Sequence, residues 1–293
     1  MFDQKYQPPD FISNPMKLSS INDKSVIARP DLLAQIIGID DSSDTCFQDM
    51  DKLIRSDQGA VSFVLRAANS ALYSRGKHIK IIPHAISLLG INIIRSLATL
   101  SISRAIFTQN KNALFQQHVW QHSLLTALAC QQICLEMNEI HLSEEAFVAG
   151  LLHDIGKVLL YQNCPDDYPA ILDYAQEQYC SCAEAEQKFL GINHIEIGKQ
   201  AVLEWNLPKH FADYSGANLD VLMPDENDNK VVRFLAIANS LIKNMGFGAR
   251  NLDIAERRIK LVNLGASDSL CEMLLEDVFL QKLMQNDIYL FSL

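Results

Sequence analysis

Residues 143–162 constrain the fold of this chain more than any other stretch. Apolar side chains recur there at helical spacing, at Phe147, Val148, Leu151, Leu152, Ile155 and Leu159. Ser143 is a good N-cap residue, and two glutamates follow it in the first turn, where the helix dipole favours negative charge. The pattern predicts one buried helix across the whole stretch.

An imidazole and a carboxylate, His153 and Asp154, interrupt this apolar helix. Gly150 and Gly156 flank them, although a glycine inside a helix costs about 1 kcal/mol relative to alanine. Neutral histidine and ionised aspartate are both metal ligands, and glycine allows another backbone or a ligand to come close. A metal site explains all four residues. A buried hydrogen-bonded His-Asp pair without a metal is the alternative.

Helical spacing continues along the rest of the chain, and we therefore predict an all-α fold. Besides the central helix, the predicted helices are 30–37, 47–55, one that follows Asp57 as N-cap and ends at Asn69 and Ser70, one after Gly90, 112–138, 231–245, 252–263 and 268–284. Residues 1–25 contain three prolines among polar residues, and we expect them to form an extended arm.

Composition narrows the function and the location. The chain has 293 residues, of which 48% are hydrophobic, so it can bury a large core. A net charge of −10, from 25 basic and 35 acidic residues, argues against nucleic acid or an anionic membrane as a partner. Seven cysteines without a CxxC pair indicate reduced thiols, and the N-terminus lacks the features of a signal peptide. We expect a cytoplasmic protein.

The stretch at 149–157 reads AGLLHDIGK and resembles the HD superfamily of metal-dependent phosphohydrolases and their relatives. Three further stretches are LRAANSALY at 65–73, AISLLG at 85–90 and GINHIEIGKQAVLEWNLP at 191–208. They resemble the HDOD family, the HD-related output domains of bacterial signalling proteins. The resemblance implies an HD-like helical bundle with an N-terminal helical lobe and a C-terminal helical extension. It places the HDOD domain at 26–215, with the first lobe to about residue 108 and the HD-like lobe from about 112. C-terminal helices at 216–293 would pack on this core.

The resemblance also implies a metal site. HD proteins hold a divalent ion with two histidines and two carboxylates, and His122, His153 and Asp154 match three of these ligands. His194 is a further candidate. Asn239 stands where the fourth ligand, an aspartate, is expected, so the site has one anionic ligand and a weaker hold on an ion. We expect either one divalent ion (Fe, Mn, Ni or Mg) or a site that holds none.

Polar residues near these ligands have structural interpretations beside functional ones. We expect His118 at the surface or behind the ligands, and Lys157 in solvent, although Lys157 could face a phosphate. His194 would bond a backbone carbonyl if it is not a ligand. Asp213 or Asp220 could supply a replacement carboxylate.

Two functions from different classes follow from these observations. The first is a non-catalytic signalling module that contacts an unidentified signalling protein, and the second is a metal-dependent phosphohydrolase acting on a nucleotide or a cyclic dinucleotide. Asn239 favours the first, and the lack of a GYP-like motif after Gly191 removes the link to cyclic-dinucleotide phosphodiesterases. The expected partner-binding residues lie in a turn on a rigid helical scaffold, at Tyr73, Arg75, Lys77 and His78.

Overall fold

The structure, a computed structural model, describes residues 29–70, 73, 78–107, 112–220, 229–248 and 252–292. All regular secondary structure in these ranges is helical, which confirms the predicted all-α fold. The extended arm predicted at 1–25 lies outside the described residues. Of the helices in the described ranges, none combines the length and the hydropathy needed to cross a lipid bilayer.

The α-helices follow one another with short connections. They are α1 (Pro30–Ile37), α2 (Cys46–Arg55), α3 (Gln58–Ala68), α4 (Ile82–Leu89), α5 (Ile91–Phe107), α6 (Ala113–Phe115), α7 (His122–Glu136), α8 (Ser143–Leu152), α9 (Ile155–Asn163), α10 (Tyr168–Glu177), α11 (Cys182–Leu190), α12 (His194–Glu204), α13 (Phe211–Ser215), α14 (Lys230–Lys243), α15 (Ile254–Asn263), α16 (Asp268–Leu274), α17 (Phe279–Met284) and α18 (Asp287–Ser292). A π-helical turn at Gln116–Gln121 joins α6 to α7, so the helix predicted at 112–138 is nearly continuous.

Helices α1 to α5 pack together as an N-terminal group, and α3 is fixed at both ends by side chains. Asp57 caps its start as predicted, because the carboxylate accepts a hydrogen bond from the Ala60 N–H at 2.8 Å. Asn69 follows its last turn as predicted. The amide of Asn69 bonds both the N–H and the carbonyl of Ile79 at 2.8 Å, so it holds the segment that leads into α4.

The central helix predicted at 143–162 is in fact two helices. α8 ends at Leu152, α9 begins at Ile155, and His153 and Asp154 form the turn between them. His153 keeps helical dihedral angles (φ −57°, ψ −33°), and the backbone leaves the helical region at Asp154 (φ −99°, ψ 17°). Ser143 is the first residue of α8 rather than its N-cap.

The two glycines beside this turn allow helices to approach closely. A Cβ atom at Gly150 would lie 2.6 Å from the Cα of Ala127, so this glycine brings α8 against α7. A Cβ atom at Gly156 would lie 1.9 Å from the carbonyl oxygen of His194, so α9 contacts α12 backbone to backbone. The glycines in the sequence are therefore explained by neighbouring backbone.

The last described residues pack back onto the core of the protein. The carbonyl of Ser292 accepts hydrogen bonds from the Trp120 indole and the Arg104 guanidinium, both at 3.1 Å. The single helix predicted at 268–284 is wrong, since α16 and α17 are separate. Val278 would continue the apolar stripe of α16, yet it is exposed. Phe279, the first residue of α17, is buried instead.

Gly156→Ala tests the close contact between α9 and α12. We expect it to lower the free energy of unfolding by about 2–3 kcal/mol or more, because the added methyl group overlaps the His194 backbone. Chemical denaturation followed by circular dichroism measures this change. The matched control is Gly59→Ala at an exposed position of α3, where the added methyl group comes near only the Asp57 side chain, at 3.1 Å, so stability should change by no more than about 1 kcal/mol. Equal stability of both variants would contradict the contact.

Candidate metal centre

Three side chains from two parts of the sequence converge at the turn between α8 and α9. His122 at the start of α7, His153 and Asp154 each offer a ligand atom, and these atoms all lie within 4.8 Å of one another. The Nε2 atoms of the two histidines are 3.2 Å apart. The Oδ2 atom of Asp154 is 3.6 Å from the first and 3.4 Å from the second. The structure thus brings together the three residues that the sequence suggested.

These separations fit a shared ion in geometry. Ligand atoms about 2.1 Å from one metal ion lie roughly 3.0–3.4 Å from each other, depending on the coordination geometry. His153 is also correctly oriented, because its Nδ1–H donates to the Gly150 carbonyl at 2.8 Å and leaves the Nε2 lone pair facing the cluster. Within the described residues, by contrast, the buried Nδ1 of His122 has no hydrogen-bond partner. The second imidazole therefore lacks the outer support that a ligating histidine usually has.

Asn239 of α14 completes the cluster on its fourth side. Its Oδ1 atom lies 3.0 Å from the Nε2 of His122, which places the amide where the sequence comparison with HD proteins expected a ligand. A hydrogen on this Nε2 can bond the amide oxygen, so His122 has an acceptor in the absence of metal. The amide contributes no negative charge, and Asp154 is the carboxylate of the cluster.

Lys157 was expected in solvent, and this is wrong. It is buried one turn into α9, and its Nζ lies 2.6 Å from the Asp154 Oδ2, the same oxygen that faces both histidines. Burial alone would lower the pKa of Lys157, but the Asp154 carboxylate raises it overall. Burial would likewise raise the pKa of Asp154, while His153 and Lys157 hold it well below its usual range. The pair is therefore a buried salt bridge, and the ammonium competes with any ion for this oxygen.

His194 lies beside the cluster and is oriented by a carboxylate, not by the backbone carbonyl that we expected. Its Nδ1 is 2.6 Å from Glu186 Oε2, and its Nε2 is 3.6 Å from the Oδ1 of Asp154. Glu186 is completely buried and also accepts hydrogen bonds from the His194 N–H and the Tyr168 hydroxyl. The sequence analysis missed Glu186. The available signal was its place in the buried stripe of α11, between Cys182 and Leu190.

His118 is buried and lies behind the ligands, the second of its two expected positions. Its Nδ1 accepts a hydrogen bond from the Gly248 N–H at 2.8 Å, which holds the turn after α14 against His122. Gly248 has a φ of +118°, a conformation that favours glycine. Burial, the larger cause, and the charge of Lys157 lower the pKa of His118 to about 4. His118 therefore supports the cluster indirectly, as a neutral acceptor.

The two replacement carboxylates lie apart from the ligand atoms. Asp213 is exposed on α13. Both oxygens of Asp220 lie 2.7 Å from Lys243 Nζ, so this carboxylate is already paired. The Asp220–Lys243 pair lines the small cavity of the cluster, which has a volume of about 30 Å³.

The expected partner-binding turn is described only at its two ends. Tyr73 is half-buried and packs against the hydrophobic core, so only part of its ring is open to a partner. Burial raises its pKa to about 12. His78 is exposed, and its Nδ1 lies 2.8 Å from Asn69 Oδ1. Arg75 and Lys77 lie outside the described residues.

Lys157→Met tests the buried salt bridge. We expect the free energy of unfolding, measured in EDTA, to fall by about 3 kcal/mol, because the Asp154 carboxylate loses its cation while it stays buried. Adding Asp154→Asn to this variant should recover part of the loss. Lys282→Met removes an exposed lysine and should change stability little. A loss below about 1 kcal/mol in Lys157→Met would argue that the pair is solvated.

The lowered pKa of His118 predicts a dependence of stability on pH. Its folded-state pKa of about 4 is below the ordinary value of 6.5, so the unfolded chain binds the proton first as the pH falls. The contribution of neutral His118 to the free energy of unfolding is complete above about pH 6.5 and decreases towards pH 4. The decrease between pH 6.5 and pH 5 is about 1.5 kcal/mol. His118→Gln should show a correspondingly smaller loss in urea denaturation over this interval, whereas His141→Gln, at an exposed site, should behave as wild type. Identical pH profiles for His118→Gln and wild type would contradict the assignment.

Similar proteins share the fold described above. A crystal structure of an HDOD domain protein of unknown function from Geobacter sulfurreducens has a TM-score of 0.68 at 21% identity, covering 87% of this chain and 91% of that one. A "Putative phosphohydrolase" from Shewanella amazonensis SB2B has a TM-score of 0.62 at 20% identity, covering 90% and 91%. A "Putative signal transduction protein" from Marinobacter aquaeolei VT8 has a TM-score of 0.68 at 18% identity, covering 90% and 58%. These similarities show the fold.

Sequence comparison assigns the family. An uncharacterized protein of Treponema pallidum (strain Nichols) is 20% identical over 215 residues, which are 73% of this chain. The chain spans about two fifths of the length of that relative, since the match covers 41% of it. The sequence profile of the HDOD domain matches residues 27–217, well over half of the chain. The chain therefore belongs to the HDOD domain family.

Proposed function

We propose that this HDOD protein is a signalling module that acts through contacts with a protein partner and does not turn over a phosphoester. The observation that carries the proposal is the 2.6 Å salt bridge between Lys157 and Asp154. It neutralises the carboxylate of the cluster at the oxygen that an ion would need.

The charge of the cluster supports this proposal. Burial is the main cause that lowers the pKa of His122 to about 3, and it also lowers the pKa of His153, so both imidazoles are neutral at ordinary pH. Asn239 is neutral, and the charges of Asp154 and Lys157 cancel. A divalent ion entering this buried site would lose its hydration shell without meeting a net negative charge, which makes binding weak.

The size of the cavity is a second, independent argument. About 30 Å³ is room for an ion or roughly one water molecule, and a phosphoester does not fit into it. To reach the ligand atoms, a substrate would have to displace the wall that the Lys243–Asp220 pair forms.

A surface on α15 suits a protein contact. Ile254, Ile259 and Val262 on this helix are 53%, 62% and 47% exposed. Their positions fall on one side of the helix at about 100° per residue. Exposed apolar side chains that share a helix face are typical of protein–protein contact sites. We infer that α15 contributes to the partner-binding surface.

The alternative function is a metal-dependent phosphohydrolase. The convergence of His122, His153 and Asp154 favours it, as does the similarity to the Shewanella protein described as a "Putative phosphohydrolase". Those three residues would hold the ion, which when bound would acidify a water molecule. Lys157 would have to leave Asp154 before the ion could bind.

Metal content and hydrolysis distinguish the two functions. After incubation with manganese, iron, cobalt or nickel and removal of unbound ion, wild type should retain well under one ion per chain and should not hydrolyse nucleotides or cyclic dinucleotides. In the variant Lys157→Met/Asn239→Asp, the first substitution removes a positive charge from the cluster and the second adds a negative charge. This variant should retain more metal than wild type, measured by elemental analysis. The matched control Lys282→Met/Asn92→Asp, at exposed sites, should retain as little as wild type. Turnover by wild type that is lost in a folded His153→Ala variant would refute the proposal.

A further inference from the structure

A second, larger cavity lies next to the cluster. Its volume is about 520 Å³, within the range of small-molecule sites. It lies between the α10–α11 connection, α14 and α15. Leu219, Asp220, Lys243 and Gly248 line both cavities, so they form the wall between them. The ligand atoms of the cluster do not line this second cavity, which is therefore a separate place to bind a molecule.

The rim of this cavity carries a tyrosine in an unfavourable backbone conformation. Tyr179 has a φ of +55°, the left-handed region, and its side chain is 71% exposed. It follows α10 at the position where helices usually end on glycine, as the hydrogen bond from Cys180 N–H to the Ala175 carbonyl at 3.1 Å indicates. The other non-glycine residues with positive φ in the described ranges are Asn138 and Asn206, a residue type that tolerates it. A large aromatic ring kept here against local preference points to a function for the ring.

Charged and amide groups line the cavity together with apolar side chains, and the charged groups include the carboxylates of Glu184 and Asp220. Lys243 is paired with Asp220, whereas Lys260 of α15 is exposed and forms no ion pair with any described residue. Gln176 and Asn263 add amides that can bond the edge of a heterocycle. Leu252 and Leu264 provide an apolar surface in the same cavity. The lining therefore offers an aromatic face, an apolar wall and an exposed lysine.

We propose that this cavity binds a nucleoside monophosphate as an effector, with the base against Tyr179 and the phosphate near Lys260. A planar heterocycle stacks on an aromatic ring, and a phosphate is attracted to a lysine ammonium. Binding needs no metal ion, because none of the three cluster residues lines the cavity.

Helix α15 lies between the cavity and the exposed apolar surface, so it can link a bound molecule to that surface. Lys260 and Leu264 face the cavity, while Val262 lies on the opposite side of the helix and is 47% exposed. A molecule in the cavity thus contacts the inner face of the helix whose outer face is apolar. The link through α15 rests on the proposed partner contact, whereas the proposed binding of a nucleoside monophosphate in the cavity does not.

Isothermal titration calorimetry with AMP in EDTA tests the proposal on the full chain. Wild type should bind AMP with a micromolar Kd, and adenosine and ribose 5-phosphate should each bind at least about tenfold more weakly, since each lacks one contact. Lys260→Gln should weaken AMP binding about tenfold, and the control Lys282→Gln should not. No heat of binding at millimolar AMP, or equal affinity in Lys260→Gln, would overturn the proposal. Because EDTA is present and no turnover is measured, this result is independent of the hydrolysis screen.

Tyr179→Gly separates the role of the ring from a role in folding. Glycine adopts the left-handed conformation without strain, so the melting temperature should rise while AMP binding weakens at least about tenfold. If the tyrosine were merely structural, the variant would bind AMP as tightly as wild type. That outcome would overturn the assignment of the base to Tyr179.

Discussion

The HD-like lobe depends on how the negative charge of one buried carboxylate, that of Asp154, is balanced by its neighbours. Asp154 lies in the turn between α8 and α9, and its two oxygens face different partners. Lys157 binds one oxygen at 2.6 Å, and His194, oriented by the buried Glu186, approaches the other at 3.6 Å. A charge in such a place is tolerated only with paired and hydrogen-bonded neighbours. The close contact of α9 and α12 at Gly156 is what brings His194 within reach.

This compensation also bears on the resemblance to a metal site. The ligand atoms have the spacing of a shared coordination sphere, yet an internal ammonium already supplies positive charge at the shared oxygen. The function proposed above therefore lies outside the cluster. The cavity beside it and the exposed side of α15 are adjacent, so a small molecule and a protein partner can both act on one helix.

Much of the fold was predictable from sequence, and so were the residues with ligand atoms in the cluster, but not the buried charges around them. Helical spacing gave the all-α class, and the short polar caps Asp57 and Asn69 marked the ends of α3, because these signals are local. The family resemblance placed His122, His153, Asp154 and Asn239 together. The single helix at 143–162 was wrong, because periodicity cannot detect a turn that preserves the apolar pattern on either side.

The sequence by itself determined which groups are available: two imidazoles, one carboxylate, an amide in place of a second carboxylate, and glycines where backbones must meet. Only the tertiary structure decided how these groups are paired. Lys157 reads as a surface residue until α9 is buried, and Glu186 lies on another helix, far from the motif in sequence. Burial and the approach of distant helices set the electrostatics of a side chain, and neither is encoded in its immediate sequence neighbours.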